Sequence, residues 1–190
     1  KGKRIIYTYA FYGTCWNDQT FNPKYKLKPS DASYMFSNCA CKGALTNFDI
    51  SRATKATRCF DGAKFSKLGV IDVSNFLNIS NVFRNMTNLH TIELFVIGDG
   101  SNENLDFSDV FPGCENLENI EIDGILAGDV GFADNIKLSK KSITNIINAL
   151  DDSYDGWVLT MSEEAVNNAF SEAEWNALIA TRSMWTISLE

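Results

Sequence analysis

"FSNCACKGALTNFDIS", residues 36–51, carries two cysteines one residue apart and, behind them, Leu45, Phe48 and Ile50. Whether Cys39 and Cys41 form a metal clip, a redox pair or part of a core turns on whether the stretch recurs, and it does. Phe60 is followed by Leu68, Ile71 and Val73; Phe83 by Leu89, Ile92 and Leu94; Phe111 by Leu117, Ile120 and Ile122. Each unit has a Phe, five to eight further residues, and then L-x-x-Φ-x-Φ, where Φ is apolar. The leucines stand 23, 21 and 28 residues apart. In each Φ-x-Φ, strand alternation turns the two apolar side chains inward and the residue between them outward.

A period of this length is that of leucine-rich repeats. One unit cannot bury its apolar side alone, whereas stacked units bury it between neighbours. The expected fold is therefore α/β: a leucine-rich-repeat solenoid with a parallel β-sheet on one face and a helical C-terminal portion. One domain is expected over 1–190, with an N-terminal cap at 1–32, repeats at 33–124, and longer helix-containing coils with a C-terminal cap at 125–190. The Phe of each unit should stack on its equivalents as a row of rings. A strand over residues 4–11 should close the N-terminal end, with Phe11 and Cys15 echoing the Phe-to-Cys spacing.

Three residues beyond each Phe stand Cys39, Ala63, Met86 and Cys114, a position of small or soft apolar residues. Cys39 and Cys114 are thus expected in the core, where free cysteines pack as small hydrophobes. A pairing of Cys15 with Cys39 or Cys41 is the alternative for a secreted chain. A zinc site needs about four ligands, with Cys or His at short spacings. The chain has one His and five Cys and no such set, so neither a metal nor another cofactor is expected.

The last third changes character. Ser139 is placed to cap a helix carrying Ile143, Ile146, Ile147 and Leu150 at i, i+3, i+4, i+7. WVLTM (157–161) reads as a strand, Ser162 as the cap of a short helix, and Ser171 with Glu174 as a capping box. WTISL (185–189) reads as a last strand. These strands are expected to extend the same parallel sheet.

The units "MFSNCACKGALTNFDIS", "CFDGAKFSKLGVIDVSNFLNISNVF", "VFRNMTNLHTIEL" and "VFPGCENLENIEI" resemble BspA-type leucine-rich repeats, over about residues 33–124. The C-terminal tail resembles the ends of repeat proteins from gut Firmicutes and their phages. The resemblance implies a surface or virion protein acting in adhesion or recognition, in an extracellular, cell-surface or virion location. The chain departs from that pattern where Glu93 replaces the usual Asp and where "FVIGDGSNENLDFSD" (95–109) is inserted.

Charge separates the function classes. The net charge is −7, with six Lys/Arg against two Asp in residues 1–32, and eleven Asp/Glu with no Lys or Arg in residues 93–135. A nucleic-acid binder carries a dominant basic patch, so nucleic acid is not an expected partner. No run of about 18 apolar residues is present to span a membrane. Without an initiator Met, the chain is expected to be a piece of a longer protein. The single histidine, His90, is expected to line the surface. Asp99 opens a loop that lacks the Gly and Glu of an EF-hand at the sixth and twelfth positions, leaving an irregular calcium site as the minor alternative to a solvated insertion.

The outward residue of each Φ-x-Φ is Asp49, Asp72, Glu93 and Glu121, continued by Thr160 and Ser188. Four carboxylates would then stand in one line on the open face, flanked by Thr91, Phe95 and Asn119. Like charges on adjacent strands repel, so the line needs hydrogen-bonding neighbours or a cationic partner. No catalytic residue is expected. The function read from the sequence is non-enzymatic recognition of a protein or glycan on a cell surface. The alternatives are a glycan hydrolase using the acidic face and a passive spacer.

Overall fold

The computed structural model describes residues 6–14, 23–101 and 105–190. Cys15, and with it the pairing considered above, lies outside the described residues. The chain is mixed α/β with two parallel sheets. Strands β1 (Ala44–Leu45), β2 (Lys67–Asp72), β3 (Thr91–Gly98) and β4 (Asn119–Gly124) lie side by side in that order, each neighbouring pair parallel. Strands β5 (Val130–Phe132), β6 (Val158–Met161) and β7 (Thr186–Leu189) form a second parallel sheet. Helix α1 (Lys140–Ala149) lies between β5 and β6, while α2 (Glu163–Ala169) and α3 (Glu172–Ile179) separate β6 from β7.

The first sheet is in register, but not in the register read from the leucines. Leu45 pairs with Leu68, Leu68 with Ile92, and Ile92 with Ile120. The next inward row is Ile71, Phe95 and Ile122. In β3 the sequence fits L-x-x-Φ-x-Φ twice, at Leu89-Ile92-Leu94 and three residues later at Ile92-Phe95-Ile97. The molecule uses the second fit: Ile92, Phe95 and Ile97 are buried, whereas Leu94 is only half-buried. Leu89 and Leu117 are buried as well, in the turns before their strands, where Leu89 N–H donates to Met86 O and Leu117 N–H to Cys114 O. Between β3 and β4 the register slips, with the four residues Ile92 to Phe95 facing the three from Ile120 to Ile122. A bulge of this kind turns one residue out of the alternation.

The turns that carry the phenylalanines are hydrogen-bonded to one another as regularly as the strands are. Phe11 N–H donates to Met35 O (2.8 Å), Phe36 N–H to Cys59 O (2.8 Å) and Phe60 N–H to Val82 O (2.9 Å). The rings follow. Phe11, Phe36, Phe60, Phe83, Phe111 and Phe132 stack consecutively with centroid separations of 5.1, 5.5, 5.7, 5.0 and 5.6 Å. The expected row of rings is present and is one member longer at each end. Residues 6–11, however, are not a strand. Ile6 makes an isolated bridge to Asp31, and residues 8–13 form a turn that lies on the Ser33–Ser37 turn through Tyr9 N–H to Ser33 O and Gly13 N–H to Ser37 O.

β6 and β7 do not extend the first sheet. The edge of β4 is taken by the start of α1: Ile120 N–H donates to Ser142 Oγ (3.0 Å), and Glu118 O accepts from Ser139 N–H (2.9 Å) and from Ser142 Oγ (2.9 Å). A helix therefore stands where a fifth strand was expected. The second sheet instead continues from the turn side, where Phe107 bridges Val130 and Gly131 N–H donates to Phe107 O. Thr160 and Ser188 pair with each other in this second sheet and do not continue the row of Asp49 and its equivalents.

The helices begin where the sequence places them. The side chains of Ser139, Ser162 and Ser171 cap α1, α2 and α3, and Ser171 with Glu174 makes the reciprocal capping box. Ile143, Ile146 and Ile147 form the buried stripe of α1. The carbonyls at the end of α1 are met from afar: Arg182 donates to Ile147 O (2.9 Å) and Asn148 O (3.1 Å).

Cys39, Cys41, Cys59 and Cys114 are all buried thiols within one hydrophobic core that runs from Ala32 to Trp185. Burial pushes the Cys59 thiol far up and that of Cys114 up to about 12. Burial, with the neighbouring Cys39 thiol, raises Cys41 to about 12. An unperturbed thiol ionises near pH 8.5. The folded state therefore holds its thiol protons beyond the pH at which the unfolded chain releases them. Their contribution to stability is complete below pH ~8.5 and is lost as pH rises toward ~12. Thiol labelling at pH 8 without denaturant should miss these four cysteines, and the melting temperature should fall above pH ~9. Rapid labelling of Cys59 or Cys114 would contradict their packing.

Candidate functional site

The open face of the first sheet was the expected binding surface. Lys67, Thr91 and Asn119 stand opposite one another on β2, β3 and β4. The carboxylates are not in one line. The register pairs Asp72 with Val96, and Val96 with Asp123. Glu93 follows Ile92 and stands level with Glu121, which follows Ile120. Asp49 and Asp72 thus belong to one row and Glu93 and Glu121 to another, displaced by the three residues of the register correction. Phe95 does not flank this surface: it is 1% exposed, edge-on to Phe83 and Phe111 at 5.9 and 5.7 Å. Its inward direction follows from the same shift. The apolar residues that do reach this face are exposed Val70, half-buried Leu94 opposite it, and half-buried Val96 between Asp72 and Asp123.

Each carboxylate already has partners. Asp49 Oδ1 accepts from Ser51 N–H (3.1 Å) and Oγ (2.6 Å), and its Oδ2 lies 3.3 Å from Lys28 Nζ and 3.8 Å from Lys26 Nζ. Partial burial pushes the Asp49 carboxyl upward, but the Ser51 hydrogen bonds and the two lysines outweigh it and hold it below the usual range. Asp72 accepts from Ser74 N–H and Oγ in the same way, at 3.0 and 2.6 Å. Glu93 meets Lys67 at 2.6 Å and Glu121 meets Lys141 at 3.1 Å. Repulsion along the face is therefore relieved by its own cations. Exposed ion pairs contribute ~0–1 kcal/mol each. The double variant Glu93→Gln/Glu121→Gln should accordingly unfold in urea within about 1 kcal/mol of wild type.

The Asp-x-Ser turn recurs at Asp99–Ser101, Asp106–Ser108 and Asp151–Ser153. In the insertion, Asp99 and Asp106 are thereby turned onto their own serines. No group of acidic, His or Cys side chains arranged to hold a metal occurs among the described residues. His90 is exposed, with Nδ1 2.6 Å from Asn88 O.

A second surface, on the turns, was not found from the sequence. Tyr9, Tyr34, Arg58 and Asn81 each precede their Phe by two residues and have φ of 59°, 56°, 51° and 60°. The positions two residues after each Phe are also left-handed, but are occupied by Gly13, Asn38, Gly62, Asn85 and Gly113, residues suited to that conformation. A bulky residue there is disfavoured by roughly 1–2 kcal/mol. The signal was present as a column of aligned residues, but its left-handed backbone is visible only in three dimensions. The Tyr9 and Tyr34 rings stack at 4.7 Å and 6°, with Tyr12 edge-on to Tyr9 at 5.5 Å.

No protein-family model matches the chain, and neither a curated protein nor a solved structure is significantly similar to it.

Proposed function

We propose that the chain is a leucine-rich-repeat solenoid of the BspA type that acts as a non-enzymatic recognition module of a surface-displayed or virion protein. The parallel strands, the consecutive ring stack and the recurring left-handed turns support the solenoid reading. Such a fold offers an extended surface for a protein or glycan partner. The observation that carries the functional reading is the open face of β2–β4. There Lys67–Glu93 and Glu121–Lys141 pairs in solvent surround Thr91, Asn119 and the exposed Val70. Alternating charge, hydroxyl, amide and apolar groups on one open face suit contact with another surface. A hydrolase needs two carboxylates in distinct environments, one of them kept protonated. Here each is tied to a lysine or a serine.

The test is binding of the purified protein to bacterial cells and to a glycan array. Glu93→Gln/Glu121→Gln should weaken binding by at least ~1 kcal/mol, since charge-assisted contacts are lost, while the fold persists. Unchanged binding by the folded double variant would remove this face from the site and favour a spacer.

A further inference from the structure

We propose that the turns carry a second binding site, a cleft for an acidic glycan whose sugars bear carboxylates. The cleft encloses about 550 Å³ and is lined by Tyr12, Tyr34, Arg58, Lys64 and Arg84, with Asp61 at its base. It shares no residue with the face of β2–β4. Asp61 is more than nine-tenths buried, accepts a hydrogen bond from Arg84 Nε and lies at ion-pair distance from Arg58 Nε. Arg84 Nε is 3.1 Å from Asp61 Oδ1, and Arg58 Nε is 4.0 Å from Asp61 Oδ2. The terminal amino groups of both arginines have no partner among the described residues. Lys64 Nζ is held by Thr87 Oγ1 at 3.0 Å. One buried carboxylate thus orients Arg84 and draws Arg58 toward it, and leaves their amino edges for a ligand. A guanidinium edge matches a carboxylate through paired, charge-assisted hydrogen bonds.

The backbone supplies a separate argument. Asn81 shows that the left-handed position before each Phe accepts a residue suited to it, yet the three preceding turns carry Tyr9, Tyr34 and Arg58 there. Strained side chains persist where the strain serves a site. Of these, Tyr34 and Arg58 line the cleft, and Tyr9, outside its lining, stacks on the Tyr34 ring. Tyrosine presents a flat apolar face with a polar tip, suited to a sugar ring, and the amides of Asn38 and Asn85 and the hydroxyls of Ser37 and Thr87 border the same cleft for sugar hydroxyls. Three cations against one acid select an anionic ligand. The acid-rich remainder of the chain, net −7, disfavours a long nucleic acid, whose phosphates would be repelled beyond the cleft.

The experiment is titration calorimetry with hexagalacturonate, its fully methyl-esterified form, oligothymidylate and oligoglutamate of equal charge. Wild type should bind hexagalacturonate and not the ester. Arg58→Asn, which keeps a residue suited to φ > 0, should weaken that binding about tenfold or more while melting at the same temperature or higher. Glu93→Gln/Glu121→Gln should leave it unchanged, so that failure of this site and failure of the sheet-face reading are told apart. Absence of binding at millimolar hexagalacturonate, equal binding of the ester, or unchanged binding in Arg58→Asn would overturn the proposal. Equal or tighter binding of either other polyanion would overturn it in favour of a nucleic acid or an acidic peptide.

Discussion

Phe60→Ala is expected to destabilise the protein by about 3–5 kcal/mol in urea unfolding. The ring is fully buried, stacked between Phe36 and Phe83 at 5.5 and 5.7 Å, with Phe48 edge-on at 5.6 Å. Truncation removes the ring's transfer energy and leaves a void walled by other rings. Those walls are poorly able to close in. Phe36 is pinned by its N–H bond to Cys59 O (2.8 Å), and residue 60 itself by its bond to Val82 O (2.9 Å). The cost of a cavity depends on how far the site can collapse, which places this substitution toward the upper part of the range. A loss under about 1 kcal/mol would show that the stack does not carry the core.

Gly124→Ala and Gly131→Ala should each cost about 3 kcal/mol or more, for a different reason. A Cβ on Gly124 would lie 2.1 Å from Gly98 O and 2.8 Å from Ile97 Cγ1, on a backbone with φ of +127°. A Cβ on Gly131 would lie 2.1 Å from Ser108 O. Both obstacles include a neighbouring carbonyl, so relief requires parting adjacent chain segments. Glycine at these points permits close backbone approach, one at the end of the first sheet and one inside the second. Thermal melts should show a large drop for both variants. Melting within a degree or two of wild type would mean that the two chain segments are not in contact.

The ring stack was legible in the sequence because a Phe separated from the next by a near-constant interval has one physical use in a stacked chain. The serine caps were legible because a cap is a local event, fixed by three or four residues. The strand register was not. "LHTIELFVI" satisfies the same apolar pattern in two frames three residues apart, and only packing against Ile71 and Ile122 selects the frame that buries Phe95. That one ambiguity displaced Glu93 from the row of Asp72 and placed Phe95 on the wrong face. The N-terminal turn was misread as a strand because apolar alternation in "IIYTYAF" resembles one, whereas the pairing partner of residues 8–13 is a turn. The separate second sheet was hidden because nothing local states that Ser142 will occupy the edge of β4. Of the surface, the aspartates were legible as part of an Asp-x-Ser pattern, and their partners include the serines two residues on. The lysine partners come from about 20 or more residues away and leave no local trace.

The central claim, recognition without chemistry, is tested most directly by incubating the protein with the glycan or cell-surface material that it retains and following bound fraction and new reducing ends in the same sample. The account predicts saturable, reversible binding with the ligand recovered intact. Steady release of new reducing ends, abolished by Glu93→Gln or Glu121→Gln, would contradict it and make the sheet face a hydrolase site.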